Sequence, residues 1–330
     1  MVRSDDLPLS RFTIDRDAHA RVRPDLLAQL LASPHTRVLH IIGAEVITTG
    51  GAQPRVLLTA PAGTDAPVPT VTIGHGEGEG VLVYLGRDEG LTYIAQLHPE
   101  AAGVGEQSTE GARRSDDPQG FPGGRLSQLR DIGWDLSDRE AGLATEAIAL
   151  ANWHATHTRC PRCGGPTEVT DAGWVRRCPH CGTQHFPRTD PAVIMAIVDG
   201  DDRLLLGHAA TWPEGRYSVP AGFVEPGEHL EAAVRREVLE ETGVAVGAVH
   251  YFGSQPWPFP ASLMVGFRGT ALSTQVTPDG EEITTARFVT RAELLREVEA
   301  GRLLLPRATS IAHHLISQWY GQELPKPPHA

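Results

Sequence analysis

Three glutamates, Glu237, Glu240 and Glu241, are the side chains of this sequence best placed to do chemistry. They lie in the run GFVEPGEHLEAAVRREVLEETGV (222–244), whose apolar positions recur at helical spacing and predict a helix over about residues 228–242. At about 100° per residue, the three side chains fall within one arc of about 100° and point the same way. Because neighbouring carboxylates repel, the arrangement favours hard divalent cations, Mg²⁺ or Mn²⁺, which can share their remaining coordination positions with water and phosphate. The alternative interpretation is a solvated acidic helix face.

The rest of the run favours the metal interpretation, because Gly222, Glu228, Arg236 and Gly243 stand in register with the glutamates. Gly243 is the usual residue for a left-handed helix C-cap. Arg236, one turn before Glu240 and within reach of Glu228, is expected to orient carboxylates and not to contact substrate. The whole run resembles the signature of the Nudix hydrolase superfamily. That resemblance implies an α/β/α sandwich and hydrolysis of a nucleoside diphosphate linked to another moiety.

All four cysteines lie within residues 160–181, as two Cys-x-x-Cys pairs separated by fourteen residues. Each pair can place two thiolates on one tetrahedral Zn²⁺, and four thiolates fill its coordination shell. Cys160, Cys163, Cys178 and Cys181 therefore predict a zinc ribbon with one structural Zn²⁺ per chain and no open catalytic position at that metal. The alternative is four free cysteines in a core. The cluster also fits a reducing compartment better than a disulfide framework.

Composition limits the partners of the protein. With 330 residues the chain is long enough for two or three domains. Its formal net charge of −12 argues against a broad surface for nucleic acid or an anionic membrane, although a local basic groove stays open. We expect no DNA partner. The first residues contain no apolar core of a signal peptide, and no run approaches the length of a transmembrane helix. We expect a cytoplasmic protein.

Turn signals and alternating patterns indicate which elements position the two motifs. Residues 1–124 predict a β-rich N-terminal domain with a flexible insertion at 101–124, residues 125–187 a linking helix and the ribbon, and residues 188–330 the Nudix domain. The fold class is therefore multidomain α+β. No internal repeat is visible in the sequence. Strands of the N-terminal domain are predicted at Arg37–Ile42, Arg55–Thr59, Thr70–Ile73, Gly80–Leu85 and Leu91–Leu97.

Two capping boxes, Ser137 with Glu140 and Thr290 with Glu293, predict the starts of the linking helix and of a helix that closes at Gly301. The buried face of the linking helix is predicted to carry Leu143, Ala147, Leu150 and Ala151. Strands of the Nudix part are predicted at Ala192–Val198, Arg203–Gly207, Tyr217–Ala221, Val244–Val246, Tyr251–Ser254, Leu263–Leu272 and Thr285–Val289, with a last helix at about Thr309–Tyr320.

A proline-rich stretch bears on the substrate. Residues 254–262, SQPWPFPAS, alternate three prolines with Trp257 and Phe259 and predict a stiff extended wall suited to stacking a base or a pyridine ring. The alternative is a proline-stiffened surface turn. A four-cysteine ribbon directly before the Nudix run, followed by SQPWPFPAS, resembles the NADH pyrophosphatase family, whose bacterial members also act as NAD-capped RNA hydrolases. The similarity covers about residues 125–320.

The resemblance implies site residues by position. It implies Zn²⁺ on the four cysteines and divalent catalytic metal on Glu237, Glu240 and Glu241, helped by the Ala221 carbonyl and by Glu282. It also implies homodimers. The residues implied to contact substrate are Phe223 and Trp257 at the nicotinamide end, with Gln255, Ser262, Ala312, Arg130 and Phe186.

Two positions depart from the family pattern. Phe186 stands where the family usually has Tyr, so ring stacking can survive but a hydroxyl hydrogen bond cannot. Gly173 stands where some members carry an acidic residue in the ribbon hairpin, so the resemblance does not extend to a substrate contact there.

The expected reaction is hydrolysis of NAD(H) to NMN(H) and AMP, and the same pocket could remove the NAD cap from RNA. For the RNA tail, the arginines in and beside the ribbon are candidate contacts: Arg159, Arg162, Arg176 and Arg177. The alternatives are a broader pyrophosphatase for ADP-ribose or dinucleoside polyphosphates, which SQPWPFPAS disfavours, and a non-catalytic nucleotide sensor, which the intact glutamate cluster disfavours. The residues do not decide which carboxylate acts as the base.

Overall fold

The computed structural model describes residues 4–51, 53–61, 80–98 and 121–326. The predicted strand Thr70–Ile73 and all but the end of the predicted insertion at 101–124 lie outside the described residues. The chain forms two compact units. The C-terminal unit consists of Met1–Ser10, Asp190–Trp257 and Ser262–Ala330, and the N-terminal unit of Arg11–Thr189 and Pro258–Ala261.

The N-terminal unit contains a seven-stranded mixed sheet and the ribbon. Its elements are α1 (Leu26–Leu31), β1 (Thr36–Ile42), β2 (Glu45–Thr49), β3 (Arg55–Val56), β4 (Leu58–Thr59), β5 (Val81–Asp88), β6 (Leu91–His98), β7 (Gly124–Ser127), α2 (Leu129–Ile132), α3 (Asp138–Thr156), β8 (Glu168–Thr170), β9 (Val175–Arg177) and β10 (Gln184–His185). The sheet order is β3-β2-β1-β6-β5, with β4 paired to β1 and β7 to β2, and the pair β1–β6 is parallel. Strands β2 and β7 and helix α1 were not predicted from the sequence.

Helix α3 begins as predicted, because the Ser137–Glu140 capping box is present with both of its hydrogen bonds. Leu143, Ala147, Leu150 and Ala151 are buried on it, as expected. The helix packs on strands of the N-terminal sheet, so the predicted linking helix is a core element of that unit.

The C-terminal unit is an α/β/α sandwich, as predicted. Its elements are β11 (Asp190–Val198), β12 (Leu204–Ala209), β13 (Ala221–Phe223), α4 (Leu230–Thr242), β14 (Val246–Trp257), β15 (Ser262–Ala271), β16 (Ile283–Val289), α5 (Arg291–Glu299) and α6 (Ile311–Tyr320). The sheet order is β14-β15-β11-β12-β16, with β13 paired to β11. Strand β11 alternates between two cores: Ile194 and Ala196 pack with α5 and α6, whereas Val193, Met195 and Ile197 pack with α4.

The two sheets share one topology. The centre of each sheet is a parallel pair, β1–β6 in the N-terminal sheet and β11–β15 in the C-terminal sheet. On one side of this pair lies an outer antiparallel strand, β5 or β14. On the other side lie a hairpin partner, β2 or β12, and then a further strand, β7 or β16. A short strand also pairs with the central one in each sheet (β4, β13). The absence of a visible repeat in the sequence was therefore misleading, because pairing order can be shared without shared side chains. The stretch between β4 and β5 contains no counterpart of the glutamate run.

Two predicted boundaries shift around the glutamate run. The strand predicted at Tyr217–Ala221 begins at Ala221 instead, and Ser218 forms only an isolated bridge with Gly207. Helix α4 begins at Leu230, because His229 supplies the cap by accepting from the Ala232 N–H. Glu228 therefore belongs to the loop. No helix among the described residues is long and apolar enough to cross a membrane.

Candidate active site

Helix α4 lies close to strand β13, and a glycine of that strand makes the approach possible. A Cβ built on Gly222 would lie 2.0 Å from the carboxyl carbon of Glu237, so any side chain at position 222 would displace the glutamate. The helix ends at Gly243, which adopts the left-handed conformation with φ 69° and donates its N–H to the Leu239 carbonyl, as predicted.

Arg236 connects the loop with the carboxylates. Its guanidinium donates to both carboxylate oxygens of Glu228 at 2.9 Å, and its Nη1 donates to Glu237 at 2.9 Å and Glu240 at 3.0 Å. The Nη2 also donates to the Phe223 carbonyl at 2.9 Å. The predicted contact between Arg236 and Glu228 is thus present, and the arginine fixes two of the three glutamates of the cluster.

Glu241 has a different environment from its neighbours. It is buried, and its Oε2 has no hydrogen-bond partner among the described residues. Burial, together with the negative charges of Glu237, Glu282 and Asp279, raises the pKa of Glu241 to about 8. A buried carboxylate oxygen with no donor, surrounded by other carboxylates, fits a divalent cation.

The loop after β15 supplies the remaining acidic groups. The Asp279 carboxylate accepts the backbone N–H groups of residues 281, 282 and 283, and the Asp279 N–H donates to the Glu241 carbonyl at 3.3 Å. Glu282 is exposed, and its charge acts on both Glu237 and Glu241. The sequence identified this loop but not the role of Asp279, which is to shape the backbone that carries Glu282.

The four cysteines converge in the N-terminal unit. Their sulfur atoms lie within 4.8 Å of one another, with Cys160 Sγ 3.7 Å from Cys181 Sγ and Cys163 Sγ 3.5 Å from Cys178 Sγ. Zinc–thiolate bonds of about 2.3 Å in a tetrahedron place sulfurs roughly 3.8 Å apart, so the thiols fit one Zn²⁺. No set of three carboxylates among the described residues is gathered as tightly.

The backbone of the ribbon forms two matching knuckles. Gly164 and Gly182 each follow a Cys-x-x-Cys pair, adopt left-handed φ angles of 74° and 73°, and donate their N–H groups to the carbonyls of Cys160 and Cys178. The pattern of the sequence thus predicts both halves of the site, because each half is a local turn.

The predicted substrate residues of the C-terminal unit differ in their exposure to solvent. Gln255 and Ala312 are buried, and Gln255 Nε2 donates to the Thr309 carbonyl at 2.9 Å while its Oε1 has no partner among the described residues. Trp257 and Ser262 face each other across the β14–β15 hairpin. Phe223 is 59% exposed. The SQPWPFPAS stretch is therefore a strand end followed by a hairpin turn, and not one extended wall.

The turn of that hairpin, Pro258–Ala261, belongs to the N-terminal unit. There the guanidinium of Arg130 lies 4.8 Å from the centre of the Phe259 ring. Asn152 of α3 donates its side-chain amide to the carbonyls of Pro258 at 2.8 Å and Pro260 at 3.2 Å. Sequence reasoning missed Asn152; the available signal was a helix-disfavoured amide within a long buried helix.

Two ribbon residues differ from expectation. Arg176, a predicted RNA contact, is buried and donates to Thr167 and to His154 Nδ1, so it is unavailable to RNA. Gly173 adopts φ 93°, and a Cβ there would lie 2.7 Å from Val83 and 2.8 Å from the Leu82 carbonyl. The departure at Gly173 thus has a packing cause. The exposed residues of the ribbon include Arg159, Arg162 and Arg177, and Phe186 is 62% exposed.

Comparison with known families matches three successive segments of the chain. Residues 188–308 match the NUDIX domain, residues 155–186 the NADH pyrophosphatase zinc ribbon domain, and residues 29–153 the NADH pyrophosphatase-like rudimentary NUDIX domain. The last match agrees with the shared topology of the two sheets.

The NAD-capped RNA hydrolase NudC of Mycobacterium tuberculosis is 37% identical over 331 residues, which cover 94% of each chain. The human NAD-capped RNA hydrolase NUDT12 is 41% identical over 196 residues, 56% of this chain and 42% of its own, so the match spans about two fifths of that relative. Among solved structures, a NUDIX hydrolase from Nitrosomonas europaea covers 52% of this chain and 97% of its own at 22% identity, with a TM-score of 0.40. The match over residues 188–308 identifies the protein as a Nudix hydrolase. Within that class, the chain belongs to the NADH pyrophosphatase and NAD-capped RNA hydrolase family.

Proposed function

We propose that this protein hydrolyses the pyrophosphate of NAD(H), giving NMN(H) and AMP, and removes the NAD cap from RNA 5′ ends. The observation that carries the proposal is the likeness to NudC over 94% of both chains, in a sequence that keeps the full glutamate run. The relatives named NAD-capped RNA hydrolase support the RNA substrate. On the same family grounds we propose a cytoplasmic homodimer.

The carboxylates of Glu237, Glu240 and Glu241 would hold Mg²⁺ or Mn²⁺, with the Ala221 carbonyl and Glu282 as further oxygen ligands. Bound divalent cations would neutralise the pyrophosphate and lower the pKa of a coordinated water. Arg236 keeps the glutamates oriented through its hydrogen bonds to Glu237 and Glu240. One carboxylate of the cluster aligns or deprotonates the attacking water, which requires hydrogen-bond reach to it. Electrostatic stabilisation of the transition state and positioning of the reacting groups therefore supply most of the rate enhancement.

Substrate selection is assigned to the aromatic residues. Phe223, which is largely exposed, and Trp257 are proposed to stack on the nicotinamide ring, as aromatic side chains stack on bases. Gln255, Ser262 and Ala312 complete that end of the pocket. On the resemblance to the family, Arg130 and Phe186 are proposed as further substrate contacts.

Product analysis by mass spectrometry tests the proposal. The purified protein is incubated with NADH, NAD⁺, ADP-ribose and an NAD-capped RNA, with and without Mg²⁺ or Mn²⁺. We expect NMN(H) and AMP from the dinucleotides and a 5′-monophosphate RNA from the capped RNA, in the presence of metal only. Faster hydrolysis of ADP-ribose than of any NAD-containing substrate would assign the protein to a different Nudix activity.

Trp257→Ala tests the stacking role. Loss of the indole should weaken NADH recognition by roughly 1–3 kcal/mol, the usual worth of stacking a base on an aromatic ring. ADP-ribose, which lacks the nicotinamide, should lose much less. The measured quantity is the ratio of kcat/KM for the two substrates, in which a general loss of stability or metal affinity cancels. Equal losses would mean that Trp257 supports the hairpin and does not read the substrate.

A further inference from the structure

Strand β14 is the edge strand of the C-terminal sheet, and a distant part of the chain covers it. Edge strands present backbone N–H and C=O groups that have no strand partner on one side. Two short 3-10 turns, Ser4–Asp6 and Pro8–Ser10, contact β14 within the C-terminal unit. We call residues Ser4–Ser10 the N-terminal strap.

The strap satisfies both backbone groups of one residue. The Ser254 N–H donates to Ser4 Oγ at 3.3 Å, and the Ser254 carbonyl accepts from Ser10 Oγ at 2.8 Å. Two serine side chains thus occupy the place where the backbone of a further strand would otherwise pair. Ser254 is the first residue of SQPWPFPAS.

Apolar contacts fix the strap in position. Leu7 is fully buried in the core that contains Phe252, Ile311 and Leu315. Gly253 leaves room for it, since a Cβ there would lie 3.3 Å from both Leu7 Cδ1 and Ser4 Oγ. The pairing of β14 with β15 shifts register between Tyr251 and Gly253. A bulge of this kind bends the strand, so the strap contacts β14 at the point that sets the direction of the residues after Gly253.

The N-terminal sheet repeats this arrangement. Its edge strand β5 shifts register between Tyr84 and Gly86, and Asp15 forms a bridge with Arg87 directly after that shift. Each sheet thus has a Tyr-x-Gly bulge on its edge strand that is covered by a preceding segment of the chain. Because the arrangement recurs at equivalent positions of the two sheets, it indicates that the covering segment orders the part of the strand that follows the bulge.

We infer that the N-terminal strap is a positioning element for nicotinamide recognition: Ser4 and Ser10 fix Ser254, and through it the strand end that carries Gln255 and Trp257. The inference rests on the proposed function. Ser10 does not contact substrate and acts only through the backbone of β14. The glutamate cluster of α4 keeps its own hydrogen bonds through Arg236, so the strap should affect recognition of the nicotinamide and leave the catalytic groups in place.

Ser10→Ala tests the inference, with Ser273→Ala as a matched control. Ser273 Oγ accepts the Ala245 N–H at 3.1 Å, so the control removes a single serine hydrogen bond at the opposite end of β14. Ser10→Ala should raise KM for NADH roughly 3- to 10-fold, the scale of one hydrogen bond, with kcat within about twofold of the parent. The kinetic constants for ADP-ribose should change little, and Ser10→Thr, which keeps the hydroxyl, should restore the KM for NADH.

A second measurement does not depend on activity. Hydrogen exchange of the backbone amides of Gln255 and Trp257 should quicken in Ser10→Ala and not in Ser273→Ala. Equal behaviour of the two variants, in both KM and exchange, would overturn the inference, and so would equal loss of kcat on NADH and ADP-ribose. If the parent protein cleaves neither NADH nor NAD-capped RNA, the proposed function fails, and the exchange comparison still decides whether the strap orders the strand.

Discussion

At the scale of single residues, the three glutamates of α4 are not equivalent. Arg236 donates to Glu237 and Glu240, whereas Glu241 is buried with one oxygen unpaired among the described residues. Burial raises the pKa of Glu241 to about 8, so at neutral pH the metal-free protein already favours its protonated form. A bound cation would reverse this preference, since it favours the carboxylate.

Glu241→Gln should therefore fold normally and lose turnover. The amide has the volume of the protonated glutamic acid, so the packing is kept, but it cannot supply a negative ligand. We expect kcat to fall about 10²- to 10⁴-fold, the usual scale for an electrostatic or general-base residue, with an unchanged melting temperature. The control is Glu231→Gln, an exposed first-turn residue of the same helix, which should keep parental activity. Near-parental turnover of Glu241→Gln at saturating Mg²⁺ would contradict the assignment.

At the scale of elements, the ribbon depends on its metal and not on a core of its own. Its strands β8, β9 and β10 have two or three residues each, which is too little to bury much apolar surface. The thiols of Cys160 and Cys178 are buried, and all four sulfurs lie within 4.8 Å of one another. A closed four-thiolate site holds such an element together and offers no position to substrate.

Cys178→Ser should remove the zinc and unfold the ribbon, because three thiolates cannot complete the tetrahedral site. We expect less than one Zn²⁺ per chain by metal analysis and rapid hydrogen exchange across residues 158–185. His180→Ala, in the same knuckle but exposed, should keep one Zn²⁺ per chain. Retention of zinc and of the ribbon fold in Cys178→Ser would refute the structural role.

At the scale of the whole molecule, each unit buries a carboxylate. In the C-terminal unit, whose sheet has an apolar core on both faces, this carboxylate is Glu241. In the N-terminal unit, α3 also buries Glu146, both of whose oxygens lack a hydrogen bond among the described residues, with Arg16 Nη1 4.0 Å away. Burial raises the pKa of Glu146 to about 7, and the charges of Arg16 and Arg21 oppose that rise without cancelling it.

This carboxylate makes the N-terminal unit less stable as pH rises. The folded-state pKa of about 7 lies above the ordinary value of 4.5, so the stabilising effect of the protonated form is complete below about pH 4.5 and is lost as pH rises to about 7. Glu146→Gln should remove that loss. We expect the variant to gain up to about 3 kcal/mol in the free energy of unfolding at pH 8, with a flatter profile between pH 5 and 7. The free energy of unfolding of the unit is measured by hydrogen exchange of α3 at pH 5.5 and pH 8, corrected for intrinsic exchange rates.

Glu140→Gln is the matched control on the same helix. Burial acts to raise the pKa of Glu140, but hydrogen bonds from Ser137 and Arg55 outweigh it, so the pKa is lowered. Its charge stabilises the fold at neutral pH, and Glu140→Gln should therefore destabilise the unit at pH 8. A parental pH profile in Glu146→Gln would show that another group causes any loss of stability at high pH.

The sequence by itself determined the features that local geometry controls. Helical periodicity alone places Glu237, Glu240 and Glu241 on one arc, and each Cys-x-x-Cys turn forms its own half of the zinc site. The two capping boxes and the Gly243 C-cap were predicted for the same reason, since each involves residues within about four positions of one another.

Only the tertiary structure decided the features that depend on residues far apart in the chain. Arg176 is buried against His154, 22 residues away in the sequence. Gly173 lies close to Val83, 90 residues away. The two serines of the strap bind Ser254 across about 250 residues. The shared topology of the two sheets was equally hidden, because a pairing order is a property of hydrogen-bonded backbones and leaves no spacing in the sequence. Periodicity reports which face of an element is apolar, but the partner of that face is chosen by packing between elements.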